Sequence, residues 1–117
     1  MNKKIALLSN ADVMEKSGWD NSPLKTLFDV VVFSCDAGFA KPDPGAYLFC
    51  MEKLDLYSAD CLFVGDGGSN ELAGAHNLGI ITVFVSDKMK VNQPEAVNIR
   101  IQQSDYHIEN IPGLLEL

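Results

Sequence analysis

Apolar runs and polar breaks alternate along the chain from its first residues to its last. Residues 5–9 (IALLS) are a short apolar run that predicts a buried strand. Residues 11–28 are mixed and interrupted by Gly18 and Pro23, which predicts a short helix over 11–17, a loop and a helical turn. The β-branched stretch 29–34 (DVVVFS) predicts a second strand. Pro42 and Pro44 mark a helix start, and Tyr47, Leu48, Met51 and Leu54 recur at helical spacing over 44–54. Further on, the pattern predicts a strand at 61–65, a helix at 70–78 stopped by Gly79, and a strand at 80–86. A loop follows to residue 94, then a short helix over 95–103, a last short strand at 105–110 and the start of a terminal helix.

Strands of near-continuous apolar residues that alternate with helices imply an α/β fold, a parallel sheet covered on both faces. With 117 residues the chain is expected to form one domain, 1–117. Ligands of such sheets bind beyond the carboxyl ends of the strands. That singles out Ser9 and Asn10, the stretch from Cys35 to Lys41, and the stretch from Asp66 to Asn70. They supply a hydroxyl and an amide, a lysine, and an acid framed by Gly65, Gly67 and Gly68. Mg²⁺ prefers carboxylates, one or two of them together with waters and substrate oxygens. Lysine offers compact positive charge to a phosphoryl group in transfer. Ser and Asn at a strand-to-helix turn can donate to phosphate oxygens.

Charge narrows the partners. The net charge of −7 argues against nucleic acid or an anionic membrane, which are bound through clustered Lys and Arg. It leaves room for a small phosphorylated molecule. Three cysteines, Cys35, Cys50 and Cys61, have no CxxC spacing and read as reduced, mostly buried thiols of a cytoplasmic protein. The start MNKKIALLSN is too short in apolar residues for a signal peptide or a span.

Three motifs in order, LLSN (7–10), FAKPDP (39–44) and VGDGGSNELAGA (64–75), resemble the second, third and fourth motifs of the haloacid dehalogenase superfamily. The resemblance runs over nearly the whole chain and implies a three-layer, Rossmann-like core and Mg²⁺-dependent hydrolysis of a small phosphorylated metabolite. It implies that Ser9 binds the transferring phosphoryl group, that Asn10 helps position it and that Lys41 balances its charge. Asp66 is then the direct Mg²⁺ ligand. Asn70 stands where the family has a second acid, and Glu71, next in sequence, is placed to compensate. The family's first motif is a DxD pair, one carboxylate attacking phosphorus and the other serving as general acid-base. None of the ten aspartates is separated from another by a single residue. The chain therefore resembles the C-terminal part of a capped member, truncated before the first strand and without a cap. It is expected to be inactive alone and open to homodimerisation through exposed strand edges.

Plainer readings stand beside these. Asp66 can serve as a turn acid, Lys41 as a solvated loop lysine, and Ser9 as the cap of helix 11–17. Asp12 and Asp20 are poor substitute nucleophiles, at a helix start and in a loop. His76 reads as surface, His107 has no evident partner, and Trp19 is expected to pack over the sheet edge. A folded but non-catalytic binding or oligomerisation module is the competing function. A receiver-like signalling domain shares the sheet and a strand-end lysine but needs an early acidic cluster that this sequence lacks.

Overall fold

The computed structural model describes residues 3–86 and 94–116. The loop expected across 87–93 lies outside the described residues, as does the side chain of Asp20. Contacts divide the chain into two compact units, Met1–Tyr57 and Ser58–Leu117.

In the first unit β1 (Ala6–Ser9) pairs in parallel with β2 (Val30–Phe33), with Ala6 opposite Val30 and Ser9 opposite Phe33. Between them run a one-turn helix α1 (Val13–Lys16) and two 3₁₀ turns, Trp19–Asn21 and Pro23–Leu27. Asp12 caps α1: its Oδ1 accepts from the Glu15 amide at 2.7 Å, while the Glu15 carboxylate accepts from the Asp12 amide at 3.2 Å. The cap expected of Ser9 is thus supplied by Asp12, whose reciprocal pair with Glu15 satisfies two terminal N–H groups at once. A short helix α2 (Ser34–Ala37) follows β2 directly and ends at Gly38. The sequence pattern does not announce it, since one turn is too short to show a period. The longer α3 (Pro44–Leu54) starts with Pro44 at its first turn and is capped by Asp43, whose Oδ1 accepts from the Gly45 amide at 2.8 Å. Its buried face is Ala46, Tyr47, Cys50, Met51 and Leu54. Leu48, expected on that face, is exposed, and Cys50 takes the inward position. Val32, Cys50 and Leu54 form one buried cluster of this unit, with Leu8, Val30 and Leu56 packed against them.

The second unit is a three-stranded parallel sheet in the order β3 (Leu62–Gly65), β4 (Ile81–Val85), β5 (Tyr106–Ile108). The helices α4 (Glu71–Asn77) and α5 (Pro94–Gln103) accompany it. Leu72 of α4, Phe84 of β4 and Val97 of α5 make one buried cluster, with Phe63 against it. Residues 63 and 84 lie on the face that these helices cover, as the alternation of strand side chains requires. The predicted terminal helix is a 3₁₀ segment, Ile111–Glu116. Among the described residues, the ladder of β1 runs along β2 alone and that of β3 along β4 alone, so each keeps one open edge.

Candidate functional site

Ser9 closes β1 and Asn10 follows it, so both stand at the carboxyl end of a parallel strand. The Asn10 side chain turns onto the peptide of Lys41. Its Oδ1 accepts from the Lys41 amide at 2.8 Å and its Nδ2 donates to the Lys41 carbonyl at 3.0 Å. An amide is the side chain suited to this double contact, because it carries a donor and an acceptor side by side. Asn10 therefore fixes the backbone from which the half-buried Lys41 extends. Two of the predicted residues meet as a result, and each in a part the sequence does not reveal. The turn that bears Lys41 is closed by the Asp43 amide donating to the Ala40 carbonyl at 2.9 Å. Ser34 ties the neighbouring loop: its Oγ accepts from the Ala11 amide at 2.9 Å and donates to the Ala11 carbonyl at 3.1 Å. Its place one residue past the end of β2 was the available signal, and a lone Ser there is a weak one.

In the second unit Asp66 follows β3 at its carboxyl end. Its side chain is exposed, and Oδ1 accepts from the Gly68 amide at 2.9 Å. This is the turn contact expected of an Asp two residues before a glycine. It orients the carboxylate and leaves the second oxygen for another ligand. Gly67 has φ of 86°, a left-handed conformation that suits glycine, and it is buried. Ser69 and Asn70 follow with φ of 56° and 55°, two consecutive left-handed residues with side chains. Asn70, assigned to the metal by its position, has an exposed side chain that makes no cap hydrogen bond to α4.

The acid around which this loop is built is Glu71. It is 5% exposed and its Oε2 accepts from the Gly67 amide at 2.9 Å. Gly65 is small for the same reason, since a Cβ there would run into the Glu71 carboxylate. Glu71, rather than Asn70, is thus the side chain that turns into the loop. Arg100 was not singled out at all. It reaches from α5 and donates from Nη1 to the Asp66 carbonyl at 2.6 Å. No local signal marks it, because its partner lies 34 residues away in sequence.

The donor set suits Mg²⁺, which takes one or two carboxylates and fills its octahedron with water and phosphate oxygens. Asp66, with its exposed carboxylate, could supply one such ligand. Among the described residues no three His, Cys, Asp or Glu side chains cluster as a protein-only metal cage. His76 is exposed, with Nδ1 4.0 Å from an oxygen of Asp105. His107 has a structural setting: its ring stacks on Phe84 at 5.2 Å and Nε2 is 2.7 Å from the Ser86 Oγ. Cys50 is buried as expected and Cys61 partly so, whereas Cys35 is exposed because α2 turns it outward.

Parallel α/β units with polar and acidic side chains at the carboxyl ends of their strands define a class of proteins that handle ligands at that edge. Within that class the chain belongs to the haloacid dehalogenase-like hydrolase family, whose profile matches residues 1–79. It is 44% identical over 68 residues to mouse acyl-CoA dehydrogenase family member 10, covering 58% of this chain and 6% of that protein. It is 32% identical over 95 residues to the HAD-hydrolase YfnB of Bacillus subtilis, covering 78% of this chain and 40% of that one. The crystal structure of YfnB bound to magnesium superposes with a TM-score of 0.75 at 23% identity, over 97% of this chain and 48% of that one. A HAD phosphatase from Thermococcus onnurineus matches over 97% of this chain and 49% of that one, with a TM-score of 0.79 and 22% identity. The chain spans less than half the length of these relatives. The Rossmann-like fold expected from the sequence is the fold of these neighbours.

Proposed function

We propose that the chain is part of a Mg²⁺-dependent phosphohydrolase acting on a small phosphorylated metabolite, and that on its own it binds without turning over. The observation that carries this reading is the exposed Asp66 carboxylate, oriented by the Gly68 amide at the carboxyl end of β3. Asp66 would hold Mg²⁺ directly, and Glu71 would support it by fixing the Gly67 amide. When bound, the ion would neutralise charge on the phosphoryl oxygens. Ser9 would donate to the phosphoryl group, and Lys41, anchored by Asn10, would offset its charge. No aspartate pair of the DxD kind occurs in the sequence, so the nucleophile that the family uses is not among these residues, which supports binding without turnover. No described helix is long and apolar enough to cross a membrane, and a cytoplasmic location fits the three free cysteines.

The test is a phosphate-monoester assay with Mg²⁺ on the purified chain and on Asp66→Ala, beside a titration with Mn²⁺ in phosphate buffer followed by electron paramagnetic resonance. No turnover above blank and Mn²⁺ binding that disappears in Asp66→Ala are expected. Turnover that survives repurification and is lost in Asp66→Ala would show that another side chain replaces the nucleophile. Mn²⁺ binding unchanged in Asp66→Ala would remove the metal assignment.

A further inference from the structure

We infer that Arg100 is the positioning residue of the Asp66 loop: from α5 it holds the peptide that carries the metal-binding carboxylate. The inference rests on the metal reading of Asp66 and adds to it a residue outside the three motifs. Three observations in the second unit carry it. The Arg100 Nη1 donates to the carbonyl of Asp66 itself at 2.6 Å, a charge-assisted contact of the strong kind. The stem of the same side chain lies over Gly67, where a Cβ would come within 2.5 Å of Arg100 Cδ. Gly67 is therefore constrained twice, by its φ of 86° and by the arginine above it. Third, Val97 stands three residues before Arg100 and so lies on nearly the same face of α5. Val97 is 6% exposed and packed with Leu72 and Phe84, which fixes the helix from which Arg100 reaches.

The loop needs such a clamp. Ser69 and Asn70 are both left-handed, a conformation that costs residues with a Cβ energy and that relaxes unless its surroundings hold it. Glu71 holds the loop from one side through the Gly67 amide. Arg100 holds it from the other through the Asp66 carbonyl. The two contacts grip opposite ends of the Asp66–Gly67 peptide, next to the Asp66 side chain.

The experiment compares the full chain with Arg100→Ala and Arg100→Lys by amide hydrogen exchange, read at Gly67 and Gly68, with β4 amides as the control for folding. Losing a charged hydrogen bond should speed exchange at Gly67 and Gly68 by roughly tenfold or more in Arg100→Ala. β4 should be unchanged, and Arg100→Lys, which keeps a cationic donor and a long stem, should recover most of the protection. In the Mn²⁺ titration Arg100→Ala should bind several-fold more weakly than the native chain and Arg100→Lys close to it. Unchanged exchange at Gly67 and Gly68, an equal change throughout the second unit, or tighter Mn²⁺ binding in Arg100→Ala would overturn the inference. If the native chain binds no Mn²⁺, the metal reading fails, and the exchange data decide separately whether Arg100 holds the loop.

Discussion

Glu71 shows how one side chain can decide a loop. Its buried carboxylate accepts from the Gly67 amide, and replacing it by Ala would take that acceptor away from a buried donor. An orphaned buried group costs ~1–3 kcal/mol, so Glu71→Ala should lower the urea midpoint, while Glu71→Gln, which keeps an acceptor oxygen, should lose less. Ser69 points the other way. Its φ of 56° is strained for a residue with a Cβ, so Ser69→Gly should raise stability by roughly 0.5–1 kcal/mol in the same denaturation series. Cys61 makes a third case. Burial, and then the nearby Asp60, push its thiol above the usual range. The neutral form is thereby favoured in the folded chain. The contribution to stability is present below the ordinary thiol range and is lost as pH rises through the raised value. At neutral pH iodoacetamide should modify the exposed Cys35 first. Cys61 should lag and catch up only in alkaline solution, as peptide mass spectrometry can follow.

Among the elements, α3 is the one whose limits can be read directly from the sequence. Pro44 and the Asp43 cap start it, and Asp55 ends it in a left-handed conformation with its amide on the Glu52 and Met51 carbonyls. The turn before it is different, because its order depends on Asn10. Replacing Asn10 by Ala removes both contacts to the Lys41 peptide, at a net cost of about 1 kcal/mol each. Asn10→Ala should therefore speed exchange of the Lys41 amide well beyond that of the α3 amides. Equal rates in native chain and variant would show that the turn is held by other means. Trp19 also acts between elements. Its ring lies 5.9 Å from that of Phe28 and 5.8 Å from that of Phe33 on β2, so the 3₁₀ segment that bears it is tied to that strand.

For the molecule as a whole, the open edges of β1 and β3 matter most. Among the described residues each is a strand of four residues with one ladder partner, and a strand edge is a template for pairing with another chain. Exposed apolar side chains on or next to these strands, Ile5 and Leu62, add to that tendency. Association into dimers through these edges is the expected behaviour. Sedimentation equilibrium should return about twice the 12.8 kDa chain mass, and amides of β1 and β3 should become protected as concentration rises. A monomer at all concentrations, with those amides already slow to exchange, would contradict it. The second functional reading, a folded module that binds or associates without catalysis, draws its support from the same edges.

The order of the strands and of the longer helices was determined by the sequence alone, because hydrophobic period and Gly or Pro breaks are properties of neighbouring residues. Strands at 5–9, 29–34, 61–65 and 80–86 and the helix at 44–54 were all legible, and each lies within a residue of the observed bounds. The family motifs were legible too, as short strings at the ends of those strands. What each side chain meets was not. Leu48 and Cys50 exchanged places because inward direction depends on what packs against α3, and α2 was too short to show a period. His107 found Phe84 and Ser86 on the adjacent strand. Asn10 turned to a peptide 31 residues away and Arg100 to one 34 residues away. Glu71 rather than Asn70 was drawn inward because α4 begins at Glu71, while the left-handed Asn70 leaves its side chain in solvent. These partnerships are contacts between distant segments. Burial and hydrogen-bond satisfaction select them only once the strands are paired and the helices are in place.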